Sequence, residues 1–224
     1  ATGTIATKTT STSVVWSPTA STLYAQIPNA VSGYGTITCQ TYNGNTLIGT
    51  TTAGFYAYAV KSNCLPTVTA TIVDTNAKSI ELTGDSSKLI CYLSKPKVTL
   101  TTTAKNSATI KSTLIHNYGG GLTATTTPYT FDTVLSKEWR CTATDSRGYS
   151  TTTTYNVPFV AYEPCHFTTQ PTIKRTESTS TTATLTIKGY CFKGSFGVVT
   201  NTLTLKYRYK TATGSYGSYV NVNP

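Results

Sequence analysis

The feature that leaves this chain fewest options is the alternation of polar and apolar residues, carried mostly by threonine. "EWRCTATDSRGYSTTTTYNV" (138–157) shows it on both sides of a short break, and "NTLTLKYRYK" (201–210) shows it again. Successive side chains on a strand point to opposite faces, so a period of two marks a strand with one face turned inward. Thr supplies roughly a quarter of the 224 residues, far above ordinary usage. A β-branched side chain loses χ1 freedom in a helix and suits a half-buried pleated surface. No stretch carries the i, i+3, i+4 apolar stripe of an amphipathic helix. The expectation is an all-β chain with almost no helix beyond one short turn near "TGDSSKLI" (83–90).

Charged residues are only 12% of the chain, yet they sum to a net charge of +10 with a pI of about 9.3. That balance favours an anionic partner in general. The basic residues are scattered, in small groups at Lys95/Lys97, Lys174/Arg175 and Lys206/Arg208/Lys210, and form neither a dense run nor a basic helix. Nucleic acid is therefore not expected as a partner, and a weakly basic solvated surface is the plainer reading. No apolar run approaches the roughly 20 residues that a membrane span needs, and no secretory signal opens the chain, so no membrane partner is expected. Met is absent, which suggests that Ala1 begins a fragment, an ordered portion or a processed chain.

Punctuation divides the chain into three. In residues 1–62 two alternating runs flank a Ser/Thr/Pro stretch; then "TITCQTY" (36–42), the hairpin signal "NGN" (43–45) and a second long alternating run follow. Trp16 is the expected core anchor, and Phe55, Ala57 and Ala59 share one strand face, with Tyr56, Tyr58 and Val60 on the other. Asn63 to Pro66 reads as a linker, because Pro66 has no N–H to donate. Residues 63–160 hold several more strands, with Val98 and Leu100 inward, a turn at "KNSA" (105–108) and a Gly-rich, mobile tip at "NYGGGL" (117–122). A second joint, "AYEPC" (161–165), opens residues 161–224, too short to complete a sandwich of about 100 residues. The expected organisation is an Ig-like sandwich at 1–62, another at 63–160 and a truncated fibronectin-III-like or Ig-like module at 161–224.

Six widely spaced cysteines include no C-x-x-C pair, so no metal site is expected. Cys39 follows Ile37, and Cys141 follows Trp139, at period two. Both read as reduced, core-facing groups. Three disulfides remain the alternative.

Asp145-Ser146-Arg147-Gly148 concentrates reactive residue types, but each has a turn role. Asp accepts local N–H bonds, Gly supplies the left-handed conformation, and Ser and Arg occupy the solvent-facing corners. A serine nucleophile also needs a base held by a carboxylate. The only histidines are His116, read as a solvated loop edge, and His166, read as a packing residue at the second joint. Paired inward carboxylates, phosphate loops and zinc-protease motifs are missing. The chain is expected to be no enzyme and to need no cofactor.

Three segments, "ELTGDSSKLICYLSKPKVTLTTTAKNSATI" (81–110), "CTATDSRGYSTTTTYNVPFVAY" (141–162) and "FKGSFGVVTNTLTLKYRYKTATGSYGSY" (192–219), together resemble the minor structural, tail-tip or tail-fibre proteins of siphophages and prophages of Gram-positive bacteria. The resemblance implies tandem Ig-like and fibronectin-III-like β-sandwiches and a place in the virion tail. It implies assembly in the host cytoplasm, where thiols stay reduced, and a role as spacer or carrier for host-surface recognition. Other phage tail proteins are the implied partners, with host cell-wall polysaccharide or teichoic acid as candidate outside ligands and a homo-oligomer as a further expectation. A bacterial surface adhesin and a carbohydrate-binding module are the alternatives. Binding is expected on the loop tips "NYGGGL" and "TGSYGSY" (213–219), through Tyr118, Tyr216 and Tyr219 with Arg208 close to the second tip. The competing reading makes both tips ordinary hairpin ends.

Overall fold

A computed structural model describes residues 3–222. In chain order the elements are α1 (Ala20–Ala25), β1 (Ser32–Asn43), β2 (Thr46–Tyr58), α2 (Lys61–Cys64), β3 (Thr67–Asp74), α3 (Ala77–Thr83), β4 (Leu89–Ile90), β5 (Pro96–Thr103), β6 (Ile110–Tyr118) and β7 (Leu122–Ala124). There follow β8 (Tyr129–Thr130), β9 (Glu138–Asp145), β10 (Ser150–Asn156), β11 (Phe159–Val160), β12 (His166–Phe167), β13 (Thr172–Lys174), β14 (Thr184–Thr186), β15 (Gly189–Tyr190), β16 (Leu205–Tyr207) and β17 (Val220–Val222). The chain is predominantly β, as the alternation requires. Its helices are short and lie elsewhere than expected. Residues 20–25, inside a run that alternates like a strand, form α1 because Thr19 caps the amide of Thr22. The turn expected at 83–90 is preceded by α3, which Asn76 caps and Gly84 ends at φ +70°.

Two compact units are present: one of residues 1–72, 98–129 and 138–156, the other of residues 73–97, 130–137 and 157–224. The first unit holds a four-stranded sheet in the order β10–β9–β6–β7, and the three-stranded order β3–β5–β8 runs largely through it. In β9 every second residue is buried: Trp139, Cys141, Ala143 and Asp145. Their partners across the β9–β10 ladder are Tyr155, Thr153 and Thr151 for the first three. These side chains reach the main chain of β3 and the residue before it. Thr151 and Thr153 donate to the carbonyls of Pro66 and Val68, and the Tyr155 hydroxyl accepts from the amide of Ala70. Hydroxyl groups on an inward face thus seal an edge that a purely apolar face would leave unsatisfied. Val98 and Leu100 are inward on β5, as expected. On the opposite face of the β9–β10 hairpin, Thr142–Thr152 and Thr144–Ser150 hydroxyl pairs zip the strands at 2.8 Å each.

Elsewhere in this unit β1 and β2 form a two-stranded ribbon whose turn carries Gly44 at φ +63°. Aromatic rings lie over glycines across it, Phe55 over Gly35 and Tyr34 over Gly54. Both strands are almost wholly exposed. Cys39 is exposed, against the expectation that it faces a core, because among the described residues no second sheet covers this ribbon. Trp16 is likewise 49% exposed and anchors no core, whereas Trp139 is fully buried. Asn63–Pro66 is not an open linker. Cys64 at the end of α2 is buried with Tyr24 and Ala59, and Pro66 is also fully buried.

In the second unit, β4 pairs in parallel with β11 over a small core of Ile90, Val160 and Phe196. Burial opposes ionisation of Asp74, but hydrogen bonds from Ser79, Ser94 and the amides of Asn76 and Lys95 outweigh it and hold the carboxyl below the usual range. The later part of this unit also carries three two-stranded pairs, β12–β15, β13–β14 and β16–β17. Their strands are almost entirely exposed.

Candidate functional site

The Asp145–Gly148 segment is a turn, as its residue types require. The amide of Gly148 donates to the Asp145 carbonyl at 3.0 Å, and Gly148 has φ +90°. Arg147, however, does not face solvent; its side chain is fully buried. Its guanidinium donates to four carbonyls, those of Tyr24, Ile27, Lys105 and Asn106, at 2.7–3.0 Å. It also lies 3.5 Å from the Asp145 carboxylate, which accepts from the amides of Arg147 and Tyr149 as well. The "KNSA" turn, with Asn106 and Ser107 at positive φ, presents two of those carbonyls. A buried cation is tolerable when its donors are met by a carboxylate and by acceptors of fixed geometry. Ser146 accepts from the amide of Thr109 and donates to the carbonyl of Pro28. The whole cluster is a fastener within the first unit.

Tyr118 closes β6 in the first unit, beside the tight "NYGGGL" hairpin. Its ring is covered by Arg140, whose guanidinium carbon sits 3.2 Å from the centroid. Glu138 holds that guanidinium by a 2.8 Å bond, which raises its pKa further, and His116 meets Tyr118 edge-on at 5.5 Å. His116 is thus a strand residue rather than a loop edge. His166 is exposed rather than packed, and it stacks on Tyr190 with centroids 5.6 Å apart.

The other three expected binding residues do converge, within the second unit. β16 pairs with β17, and the loop between them folds back on itself where the Gly217 amide donates to the Tyr209 carbonyl. This return puts the Arg208 guanidinium 4.5 Å from the Tyr216 ring and 4.6 Å from the Tyr219 ring. Lys210 Nζ stands 5.3 Å over Tyr216. All three of these contacts, made by two cations, lie within the roughly 6 Å at which a ring quadrupole attracts charge. Beside them opens a cleft of about 430 Å³ whose lining includes Tyr209, Lys210, Thr211, Ser215 and Ser218. Tyr209 is the residue that sequence reasoning missed; it is 73% exposed. The alternation of "KYRYK" held its signal, because Tyr207 and Tyr209 fall opposite Lys206, Arg208 and Lys210. Flat rings, hydroxyls and cations together suit a polyhydroxylated, anionic ligand. Among the described residues no group of three His, Cys, Asp or Glu side chains could hold a metal ion.

No curated protein and no solved structure matches this chain. One family does, over residues 1–220, described as "Siphovirus protein of unknown function (DUF859)". With nearly its whole length matched, the chain belongs to this siphovirus protein family, which points to a virion-associated role among other phage proteins.

Proposed function

We propose that the chain is a non-enzymatic structural module of the phage tail, at the tail tip or in a tail fibre, that spaces or carries host cell-surface recognition. On this reading the two sheets around Trp139 are an Ig-like or fibronectin-III-like body, residues 161 onward begin a further module, and assembly occurs in the host cytoplasm. The observation that carries the recognition part is the Arg208–Tyr216–Tyr219 stack with the cleft beside it. Its chemistry fits a cell-wall polysaccharide or teichoic acid, whose phosphates would meet Lys210 and Arg208 and whose sugar faces would meet Tyr209. Adsorption of the purified chain to host cell walls tests this. Arg208→Ala and Tyr209→Ala should each weaken adsorption about tenfold, a loss of about 1.4 kcal/mol, and added salt should weaken the wild type. Tyr118→Ala, with its ring already occupied by Arg140, should bind as wild type. Full adsorption by both cleft variants, with the fold intact, would leave the chain a spacer.

The ribbon supports a second part of the reading, assembly with another copy. Residues 32–58 contain no charged side chain, in a chain of net charge +10. Two copies of so basic a chain repel over most of their surface, and this ribbon is a place where they can meet without that cost. Strands of 12 and 13 residues extend about 40 Å, and an isolated two-stranded ribbon is marginal in water. Tyr34, Ile37, Ile48, Tyr56 and Tyr58 are exposed along it. Light scattering on wild type and Ile37→Lys is the test: the wild type should be an oligomer and the variant should dissociate. A monomeric wild type at tens of micromolar would sink this part.

A further inference from the structure

We propose that Cys165 and Cys191 are a disulfide-forming pair, reduced during assembly in the cytoplasm and closed in an oxidising medium to staple the segment between them. The register of β12 and β15 carries the inference. His166 faces Tyr190 and Phe167 faces Gly189. One further step of the same antiparallel register sets Cys165 opposite Cys191. The amide of Thr168 donates to the Lys188 carbonyl at 3.0 Å. Hydrogen-bonded pairs alternate along such a ladder, so 168/188 and 166/190 are bonded pairs and 165/191 is a non-hydrogen-bonded pair. Facing Cα atoms at such sites lie about 4.5 Å apart, inside the roughly 4.4–6.8 Å that a disulfide spans. The two thiols are near enough for Cys165 to help push the Cys191 thiol up. Asn201 Nδ2 donates to the Cys191 sulfur at 3.6 Å, and the stacked His166 and Tyr190 rings clamp the adjacent pair.

The segment also has a use for the bond. No residue from 163 to 191 is buried. β12–β15 contributes two facing pairs and β13–β14 three. A stretch that cannot bury enough apolar surface is where a covalent link replaces a core. Of the other cysteines, Cys64, Cys91 and Cys141 are buried, and burial pushes the Cys91 and Cys141 thiols up. Cys39 is exposed on the β1–β2 ribbon, in the other unit.

The oxidant is a low-molecular-weight disulfide such as oxidised glutathione. Cys165 is exposed, and its thiolate attacks one sulfur, forms a mixed disulfide and expels one small thiolate. The Cys191 thiolate then attacks the Cys165 sulfur and expels the second. The protein loses two electrons and two protons, and the small disulfide becomes two thiols. Burial, and then the neighbouring Cys165 thiol, push the Cys191 thiol up, so the closing step should quicken as pH rises towards the thiol range.

Peptide mapping of the full chain tests the pair directly, because the six cysteines fall on six different tryptic peptides. After incubation with excess oxidised glutathione, alkylation and digestion, peptide 148–174 should be joined to peptide 189–193. The other four cysteines should remain free of links within the chain. Cys165→Ser and Cys191→Ser should each abolish the link. Hydrogen exchange across 166–190 should slow several-fold on oxidation of the wild type and not of Cys165→Ser. Alkylation of both residues despite excess oxidant, a glutathione adduct at Cys165 that never resolves, or a link from Cys165 to any other cysteine would overturn the pairing. A formed link with unchanged exchange would overturn the staple.

Discussion

β9–β10 and β1–β2 are both antiparallel hairpins of the first unit, and each sets a cysteine two residues after a large apolar side chain. In β9 that pair, Trp139 and Cys141, is fully buried; in β1 the corresponding pair, Ile37 and Cys39, is exposed. The difference lies outside the hairpins. The inward side chains of β10 find the main chain of β3 and the residue before it, whereas both strands of the ribbon face solvent almost throughout. Alternation defines which residues share a face. Whether that face becomes a core depends on a second layer, and a layer is a tertiary property.

The largest effect should come from truncating the covered face. Trp139→Ala should cost about 3–5 kcal/mol, the range for large aromatic residues removed from a core. Ile37→Ala in dilute protein should change stability by less than about 0.5 kcal/mol. Denaturant unfolding of the two variants measures the contrast, and similar losses for both would erase the distinction between the hairpins.

Next comes the turn that closes the covered hairpin. Arg147→Lys keeps the charge but loses the planar fork that reaches four carbonyls and a carboxylate. Carbonyls left without donors, around an ammonium that cannot meet them all, should cost about 2–3 kcal/mol. The ribbon turn has no such fastener among the described residues, so Asn45→Lys there should be nearly silent. A silent Arg147→Lys would mean that α1 and the "KNSA" turn hold their places without it.

Thiol reactivity separates the hairpins without a change of fold. Burial pushes the Cys141 thiol up to about 11. At pH 8 only about one molecule in a thousand then carries the thiolate there. Maleimide should label Cys39 rapidly in the native protein and Cys141 only on unfolding. Any native labelling of Cys141 should rise about tenfold per pH unit until the pH nears 11. Rapid labelling of both at pH 8 would show β9 to be uncovered.

These contrasts mark how far the sequence was legible. The all-β class, the "NGN" hairpin, the Asp145–Gly148 turn and the inward Val98, Leu100 and Trp139 follow from period and turn chemistry, which are local. Trp16 and Cys39 were misjudged because an apolar residue in a strand pattern carries no record of what covers it. Arg147 was misjudged because its partners are backbone carbonyls at residues 24, 27, 105 and 106, and carbonyls have no sequence signature. At the candidate site, Arg208, Tyr216 and Tyr219 were legible as residues around one tip. Tyr209 was not, because its exposure arises from the fold-back at Gly217.

The smallest expected effect lies within the ribbon and tests its openness at one atom. Gly49 sits opposite Thr41, next to the register shift between Thr41 and Tyr42. Its backbone is in a conformation open to any residue, and a Cβ built there meets nothing within 4 Å. Gly49→Ala should therefore strengthen the ribbon by about 0.5 kcal/mol, through the conformational entropy that glycine loses on ordering. The amides of β1 and β2 should exchange about twofold more slowly. Gly148 in the β9–β10 turn also has open space around it, but its φ of +90° makes Gly148→Ala destabilising by about 1–2 kcal/mol. The pair thus isolates backbone conformation from packing. At concentrations where copies associate, the Gly49 result reads the surroundings instead. Continued slowing of exchange would show that the ribbon stays bare near Gly49, and a reversal to faster exchange would show that a neighbouring strand lies against it.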